Sequence, residues 1–465
     1  MIEAVRERFG EHAVVTDSQA IAPWLTDWRG RWHGNSSALL QPASTAEVAQ
    51  VVALAAENRV PLVPQGGNTS MVGGATPPED GSALLLSLRR MNRVRALQDD
   101  LAVAEAGVIL EHLHQAAARI GRRFPLTLGA RGSCTVGGLV STNAGGTQVL
   151  RFGTMRGLVL GLEAVLPDGS VHDRLAALCK DNRGYDLDQI LIGAEGTLGV
   201  VTAATLRLVP APVSRAVAWV GLANPHAALK LLRSLQASAG ERIEGFEILP
   251  GEALQRVLDH VAGTRPPLAE PHGWHVLIEA TATDSGQEAP AELLGRLLAP
   301  ALTDGLVADA VISGSEAHAQ AFWRLRESIS EAERTAGQAA QHDISVPVDD
   351  MPRFMMEAAA EVERAFPGVR AFGYGHLGDG NIHFHVRAPT DAPPKWAEGP
   401  GAAVSRFVHD LVTAAGGSIS AEHGIGQMKR DELARLCPPA DLRAMRAIKA
   451  ALDPYNLMNP GKLLA

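Results

Sequence analysis

Apolar residues in the first 212 positions recur at spacings that alternate between those of strands and helices. Residues 38–64 predict a strand, a helix and a second strand. Ser44-Thr45-Ala46-Glu47 has the form of a capping box, in which a hydroxyl and a carboxylate satisfy amides of the first helical turn. The helix is therefore predicted to begin there. Further strands are predicted at 83–88, 101–105, 158–166, 189–192 and 199–208, with a helix near 109–119.

The pattern changes after Pro210-Ala211-Pro212, a sequence typical of a domain boundary. Strands that alternate with helices follow, which favours an antiparallel α+β domain. These strands are predicted at 216–221, 275–281, 306–313 and 369–386, and the helices near 225–238, 288–299, 315–334, 351–365, 399–415 and 427–451. We therefore predict an α+β fold with domains at 1–212 and 213–415, followed by a C-terminal segment at 416–465.

Four glycine-rich loops interrupt these elements, at residues 64–74, 127–146, 192–199 and 459–462. Consecutive glycines let a backbone approach a ligand closely, and exposed amides in such loops bind phosphate oxygens. A single loop of this kind is usually structural, so only the four together indicate a cofactor. None has the G-x-G-x-x-G or G-x-x-x-x-G-K-[ST] pattern, which disfavours an enzyme that uses nicotinamide or ATP.

Three histidines lie within ten residues around the turn-forming sequence Leu-Gly-Asp-Gly-Asn at 377–381. The apolar segments on either side predict a hairpin across which His376 and His383 face each other. His385 shares a strand face with His383 and competes for the same role. Because the chain has 16 histidines, a chance cluster of structural histidines is the competing interpretation.

A carboxylate and an imidazole follow side by side forty residues later, at Glu422 and His423. Two imidazoles and one carboxylate make a divalent-metal site with an open position. Such a set leaves His423 as a candidate base. This combination suggests chemistry on a small substrate that carries oxygen atoms.

Composition narrows the choice of function. The 465 residues are 46% hydrophobic and 20% charged, and the net charge of −9 with no basic run makes a nucleic-acid surface unlikely. The three cysteines, Cys134, Cys179 and Cys437, are too far apart for a Cys-x-x-Cys site, and they fit a reducing compartment. With no apolar run long enough for a signal peptide or a membrane span, we expect a soluble, cytoplasmic protein.

The loops at 38–212 and the C-terminal tail resemble the flavin domain of the vanillyl-alcohol oxidase / p-cresol methylhydroxylase superfamily. The segments at 323–330, 375–381 and 420–424 resemble the FAD-linked 2-hydroxyacid dehydrogenase branch, most of all its D-2-hydroxyglutarate dehydrogenase type. The resemblance covers nearly the whole chain. It implies a two-subdomain FAD-binding domain, an antiparallel α+β substrate (cap) domain and a C-terminal helical segment that completes the active site and returns to the FAD domain.

The resemblance assigns the FAD site to the glycine-rich loops. Because the first loop has no histidine to tether the flavin, FAD is expected to be non-covalent. The implied cofactor residues are Pro64, Gly66, Gly67, Asn68, Thr69, Ser70, Thr127, Gly129, Gly137, Gly138, Ser141, Asn143, Gly145, Glu195, Gly196, Val201 and Asn459.

The resemblance also implies roles in the substrate domain. His376, His383 and Glu422 match the ligands of a divalent metal, typically zinc, and this favours His383 over His385. His423 matches the general base. Arg326 matches a residue that binds a substrate carboxylate, which suits a planar guanidinium, although spacing alone would make it an exposed helix charge.

Two positions depart from the D-2-hydroxyglutarate pattern. Gln341 stands where a lysine is often found, and His385 where an asparagine is often found. Both positions help to line the substrate pocket, and Ser330, one helical turn after Arg326, adds a hydroxyl. D-2-hydroxyglutarate is the first expected substrate, and a monocarboxylate such as D-lactate or glycolate the second.

The favoured prediction is an FAD- and metal-dependent D-2-hydroxyacid dehydrogenase. An oxidase of the same fold and a non-catalytic flavoprotein subunit of a larger complex are the alternatives. The predicted electron acceptor is an electron-transfer flavoprotein or a quinone. No nucleic-acid partner is expected, and a homodimer is compatible with the sequence.

Overall fold

The computed structural model describes residues 1–335 and 337–464, which form two compact units. The first comprises Met1–Gly146, Phe152–Ala211 and Glu422–Ala465, and the second comprises Thr147–Arg151 and Pro212–Ala421. The chain therefore passes between units close to residues 212 and 421. The sequence placed its boundaries at 212 and 415 and did not anticipate that a short segment after Gly146 groups with the second unit.

The first part of the chain alternates short strands and helices. Its strands are β1 (Val14–Val15), β2 (Leu39–Leu40), β3 (Leu62–Gln65), β4 (Leu84–Ser87), β5 (Val94–Leu97), β6 (Leu101–Glu105), β7 (Arg122–Arg123), β8 (Val159–Val165), β9 (Val171–Asp173), β10 (Val200–Arg207) and β11 (Val209–Pro210). Its helices are α1 (Ile2–Phe9), α2 (Ser18–Ile21), α3 (Thr45–Asn58), α4 (Leu110–Ala118), α5 (Val136–Ser141), α6 (Val149–Phe152), α7 (Met155–Leu158) and α8 (Leu187–Leu191).

The first unit has two larger sheets, besides the two-stranded sheet of β7 and β11. One has the order β1-β2-β4-β3, with β4 parallel to β2 and β3, and the other is antiparallel with the order β5-β6-β10-β8-β9. Helix α3 begins at the predicted capping box. The Ser44 hydroxyl accepts from the Glu47 amide at 3.2 Å, and the Glu47 carboxylate accepts from the Ala43 amide at 2.8 Å. The helix packs Val48, Val51 and Val52 into the core.

The predicted strand at 189–192 is wrong, because these residues belong mostly to helix α8. The Asp186 side chain caps that helix by accepting from the Gln189 amide at 3.2 Å. A short apolar run does not distinguish a strand from one turn of helix, and here the cap decides.

The second unit follows a simpler order. Its strands are β12 (Ser214–Leu222), β13 (Ile243–Pro250), β14 (Trp274–Ala282), β15 (Asp309–Ile312), β16 (Ala339–Ser345), β17 (Arg370–His376) and β18 (Asn381–Arg387). Its helices are α9 (Pro225–Ala239), α10 (Gly251–His260), α11 (Pro290–Thr303), α12 (Glu316–Glu327), α13 (Ile329–Thr335), α14 (Met351–Ala365) and α15 (Pro400–Ala414). The chain then returns to the first unit with α16 (Arg430–Leu436) and α17 (Pro439–Leu452).

The strands of the second unit form one antiparallel sheet in the order β15-β12-β14-β13-β17-β18-β16. One face is apolar along its length and packs against α9, α11, α14 and α15. The opposite face packs against α10, α12 and α13 through residues such as Trp219, Phe322 and Tyr374. On that second face, β16, β17 and β18 carry titratable side chains, so it is the candidate location of an active site.

The predicted antiparallel α+β architecture is confirmed, but several of its elements were not anticipated. Strands β13 and β16 and helix α10 were missed, and the predicted helix at 315–334 is two helices that meet at Ser328. The predicted segment at 427–451 is likewise divided, since Pro438 separates α16 from α17. Among the helices in residues 1–335 and 337–464, none combines the length and apolarity that a bilayer crossing requires.

Candidate active site and cofactor loops

The predicted histidine hairpin is formed by β17 and β18. His376 lies opposite Asn381, and Tyr374 opposite His383, so the two histidines are diagonal neighbours on one face of the sheet. Their ring centroids are 5.4 Å apart in an edge-to-face arrangement, and a nitrogen of one ring lies within 4.8 Å of a nitrogen of the other. The hairpin therefore brings two ligand-type nitrogens together.

A buried glutamate of β13 orients His376. Glu247 lies opposite His376 in the sheet, and the ring Nδ1–H donates to its Oε1 at 2.6 Å. The guanidinium of Arg326 donates to the other oxygen of Glu247 through Nε at 2.9 Å, and its Nη2 forms an ion pair with the same oxygen at 2.8 Å. Burial opposes ionisation, but the positive charges and hydrogen bonds of His376 and Arg326 outweigh it and lower the pKa of Glu247.

Because Nδ1 bonds to Glu247, Nε2 is the nitrogen through which His376 would coordinate a metal. A histidine that ligates a metal commonly donates its other ring N–H to a carboxylate, which fixes the ring and makes it more basic. Glu247 was not predicted from the sequence. Its one signal was a charged residue inside the apolar run at 243–250, where a carboxylate is costly unless it is paired.

The candidate substrate residues of the second unit lie near this cluster. Arg326 is buried, and its guanidinium stands over the ring of Tyr374, 5.0 Å from the centroid. The Tyr374 hydroxyl lies 3.1 Å from the hydroxyl of Ser330. Arg326 and Ser330 therefore reach the same aromatic ring, as their spacing of one helical turn predicts.

The other two candidates, Gln341 and His385, lie directly opposite each other on β16 and β18. The imidazole of His385 meets Phe372 and Tyr374 edge-on, with ring centroids 5.6 and 5.2 Å apart. Asp343 follows Gln341 on the same face of β16, and its carboxylate accepts from the side-chain amide of Asn381 at 2.9 Å. Asp343 was not among the site residues predicted from the sequence.

Glu422 and His423 stand where the chain leaves the second unit. The preceding residue, Ala421, donates its amide to the carbonyl of Asp343 at 3.4 Å. The ligand-type atoms of Glu422 and His423 lie within 4.8 Å of each other. A carboxylate and an imidazole therefore remain side by side in the fold, as they are in the sequence.

The glycine-rich loops of the first unit converge on Glu195 and Asn459. The carboxylate of Glu195 accepts from the amides of Ile425 and Gly426, both at 2.7 Å, while its own amide donates to Ser141 in the second loop. The side-chain amide of Asn459 donates to the carbonyl of Glu195 at 2.7 Å and to Gly74 in the first loop at 2.9 Å. Four loops that are remote in sequence are thus tied into one structure.

Gly66 and Gly67 make a close contact between the first two loops. A Cβ atom added at Gly66 would lie 2.2 Å from the hydroxyl of Thr135, and one at Gly67 would lie 2.0 Å from the carbonyl of Ser133. Any side chain at either position would separate the loops. The pair therefore serves loop packing, whereas the sequence suggested only an approach to a ligand.

Each of the four loops also contains a non-glycine residue in the left-handed region. These residues have φ of 55° at Asn68, 49° at Asn143, 52° at Glu195 and 44° at Asn459. Such a conformation costs on the order of 1–3 kcal/mol and persists where surrounding contacts impose it, often at ligand sites. Asparagine tolerates it better than most residues, but Glu195 is held by the hydrogen bonds described above.

The loops fit a large polar cofactor. Buried atoms without a hydrogen-bond partner occur at Gln65 Oε1, Thr135 Oγ1 and Asn459 Oδ1, and such atoms are costly unless a ligand or water satisfies them. A cavity of about 450 Å³ beside the first loop is lined in part by Gln65, Gly67 and Asn68, and its size suits a small-molecule site. The other candidate cofactor residues lie in the same unit, namely Pro64, Thr69, Ser70, Thr127, Gly129, Gly137, Gly138, Asn143, Gly145, Gly196 and Val201.

Comparison with known proteins agrees with these features. Residues 36–174 match a family described as "FAD binding domain", and residues 211–463 match "FAD linked oxidases, C-terminal domain". D-2-hydroxyglutarate dehydrogenase of Bos taurus, named as mitochondrial, is 40% identical over 99% of this chain and 83% of its own length. The D-2-hydroxyglutarate dehydrogenase of Xanthomonas citri is 38% identical over 94% and 91%. A putative D-lactate dehydrogenase of Schizosaccharomyces pombe is 32% identical over 96% and 85%.

Solved structures share the fold at low identity. Alkyldihydroxyacetonephosphate synthase matches with a TM-score of 0.71 at 15% identity, covering 99% of this chain and 84% of that one. p-Cresol methylhydroxylase with substrate bound matches with a TM-score of 0.71 at 14% identity, covering 99% and 96%. The expected fold is confirmed, and the chain is an FAD-dependent oxidoreductase that belongs to the FAD-linked oxidase family.

Proposed function

We propose that this protein oxidises a D-2-hydroxyacid to the corresponding 2-oxo acid, with D-2-hydroxyglutarate as the first candidate substrate. The observation that carries the proposal is the buried set of His376, Glu247 and Arg326. It presents an oriented imidazole and a guanidinium on one face of the sheet, with His383 beside them. Relatives named D-2-hydroxyglutarate dehydrogenase support the substrate class.

A divalent metal is the second part of the proposal, with His376, His383 and Glu422 as its ligands. The donor set fits, because two imidazoles and a carboxylate are a known ligand set of catalytic zinc, and the bond of Nδ1 to Glu247 makes Nε2 the coordinating nitrogen of His376. When bound, such an ion polarises a substrate oxygen and lowers the pKa of its hydroxyl. Zinc is the ion we expect.

The remaining roles fall to side chains of this chain. His423 takes the proton of the substrate 2-hydroxyl, since an imidazole titrates near neutral pH and this one adjoins a proposed ligand. Arg326 binds a substrate carboxylate through Nη1, because Nε donates to Glu247 and Nη2 is paired with the same carboxylate. Because the guanidinium is already fixed by Glu247 and Tyr374, little side-chain freedom is lost when the substrate binds.

FAD supplies the hydride acceptor when it is bound, and we propose that it is held without a covalent bond. The first glycine-rich loop contains no histidine that could be flavinylated. Acid precipitation of the purified protein is therefore expected to release all of the yellow colour into the supernatant. Flavin that stays with the pellet would show that another residue tethers the cofactor.

The choice between a monocarboxylate and a dicarboxylate substrate depends on the residue that binds the second carboxylate. Gln341 and His385 face each other at the end of the polar strand face, and Gln341 offers a neutral amide in place of a permanent positive charge. We expect kcat/KM to be higher for D-2-hydroxyglutarate than for D-lactate, the second candidate, or D-malate. The Gln341→Lys variant should increase the preference for the dicarboxylates, because an ammonium group pairs with the second carboxylate.

Steady-state kinetics with an artificial dye acceptor measure this order in the parent and in two variants. Gln341→Met is the matched control, because it keeps the length of the side chain and removes its polar amide. A parent that prefers D-lactate, with Gln341→Lys reversing the preference, would replace D-2-hydroxyglutarate by a monocarboxylate. The relative named as a putative D-lactate dehydrogenase makes this the second candidate function.

Three further features belong to the proposal. The electron acceptor is an electron-transfer flavoprotein or a quinone, and slow reoxidation of the reduced enzyme in air would distinguish this dehydrogenase from an oxidase. A non-catalytic flavoprotein subunit would not need the oriented His376 or the adjacent Glu422 and His423. A cytoplasmic location stays a prediction, to be compared with the mitochondrial designation of the bovine and plant relatives.

A further inference from the structure

The C-terminal tail of the first unit contains a buried lysine between two fixed points. Lys462 is 3% exposed. Asn459, three residues earlier, is bonded to Gly74 and Glu195, and the amide of Leu463 donates to the carbonyl of Gly426 at 2.9 Å. The backbone on both sides of Lys462 is therefore held against the loops that converge on Glu195.

The ammonium group of Lys462 lacks a partner among the residues that the structure describes. Within residues 1–335 and 337–464, no hydrogen-bond acceptor or carboxylate pairs with its Nζ atom. Lys449, in the same unit, shows the usual arrangement, since its Nζ donates to the carbonyls of Thr197 and Met458 at 2.8 and 3.0 Å and to Asp453 at 2.5 Å. The hydrogen bonds of Lys449 therefore hold the C-terminal tail in place, whereas the charge of Lys462 has no such structural role.

Burying an unpaired charge costs free energy, and the surroundings of Lys462 increase that cost. Burial, followed by the nearby charge of Arg430, lowers the pKa of Lys462 to about 8, although Glu195 acts in the opposite direction. Glu195 offers little compensation, because two backbone amides already occupy its carboxylate. A buried cation of this kind is retained where a ligand supplies the missing negative charge.

We propose that Lys462 binds an anionic group of FAD. Two parts of the cofactor carry such charge, the pyrophosphate and the N1–C2=O edge of the reduced flavin ring, and an ammonium can pair with either. The atoms with no partner at Gln65, Thr135 and Asn459 are the polar contacts of the same cofactor, and Lys462 supplies the charge that they lack. The inference requires FAD in the first unit and is independent of the substrate and metal.

The test compares Lys462→Met, which removes the charge at similar length, with Lys462→Arg, which retains it. Lys230→Met, an exposed lysine of α9, is the matched control. The dissociation constant of FAD is measured by titrating apoprotein, and the midpoint potential of the bound flavin by redox titration, both without substrate. If the pyrophosphate is the partner, Lys462→Met weakens FAD binding about 10- to 100-fold, the range for a hydrogen bond to a charged group. The midpoint potential then stays the same.

If the flavin ring is the partner, Lys462→Met lowers the midpoint potential, because the reduced anionic ring loses its counter-charge. Either result supports the proposal when Lys462→Arg and Lys230→Met stay close to the parent. Unchanged values of both quantities in Lys462→Met would overturn it. Should that variant fail to fold, Lys462→Gln replaces it with the same criteria. Since no substrate enters the measurement, the outcome does not depend on whether the D-2-hydroxyacid assignment is correct.

Discussion

Replacing His376 by alanine is expected to remove the bound metal and nearly all activity while FAD stays bound. The imidazole is a proposed ligand, and its loss leaves one histidine and one carboxylate, too few to hold zinc. A catalytic metal supplies several kcal/mol of charge stabilisation, so kcat/KM should fall at least about a thousandfold. Metal analysis, the flavin spectrum and steady-state kinetics on one preparation separate the three effects.

Variants of two nearby residues, Glu247 and His385, test whether the metal is lost specifically because of His376. Glu247→Gln keeps the size of the side chain that orients the ring but removes its charge, and it should weaken metal binding by about 10- to 100-fold without abolishing it. His385→Ala should keep the metal, because its ring lies against Phe372 and Tyr374. Full metal content in His376→Ala, with loss in His385→Ala, would transfer the ligand role to His385.

Replacing His423 by asparagine is expected to slow reduction of the flavin by substrate without loss of the metal. Asparagine keeps the polarity and approximate size of the position but accepts no proton near neutral pH. Removal of a general base costs about 10²- to 10⁴-fold in rate. Stopped-flow measurement of the flavin absorbance under anaerobic conditions reports this step directly.

The pH dependence of the same step tests the assignment independently. In the parent, the reduction rate should rise with pH as an imidazole loses its proton, since only the neutral ring is a base. In His423→Asn this rise should disappear. An unchanged rate and pH profile in the variant would mean that the proton leaves without help from His423, and the base would have to be sought elsewhere.

Local patterns in the sequence predicted the elements that depend on neighbouring residues. The capping box of α3 and the turn between β17 and β18 are short-range signals, because the groups that interact are a few residues apart. The hairpin also fixed which histidines share a face. Such signals predicted that His376 and His383 form one cluster, and the distance between their ring centroids agrees with that prediction.

The residues that pair with the histidine cluster could not be predicted from local sequence patterns. Glu247 meets His376 across 129 positions of sequence, and the encounter depends on β13 pairing with β17, a strand order that no local pattern encodes. Arg326 was expected to bind a substrate carboxylate, and that role stays a prediction. What the sequence did not indicate is that the same guanidinium already pairs with a buried glutamate.

The hydrogen bonds of Asn459 have a consequence for the biosynthesis of the protein. Its side chain joins Gly74 and Glu195, which precede it by 385 and 264 residues. A ribosome will have made both glycine-rich loops, and the whole second unit, long before it reaches this asparagine. The hydrogen bonds that join these two loops through Asn459 therefore form only after that residue has been synthesised. A chain truncated before Asn459 lacks the side chain that holds the loops together, and we expect it to bind FAD more weakly.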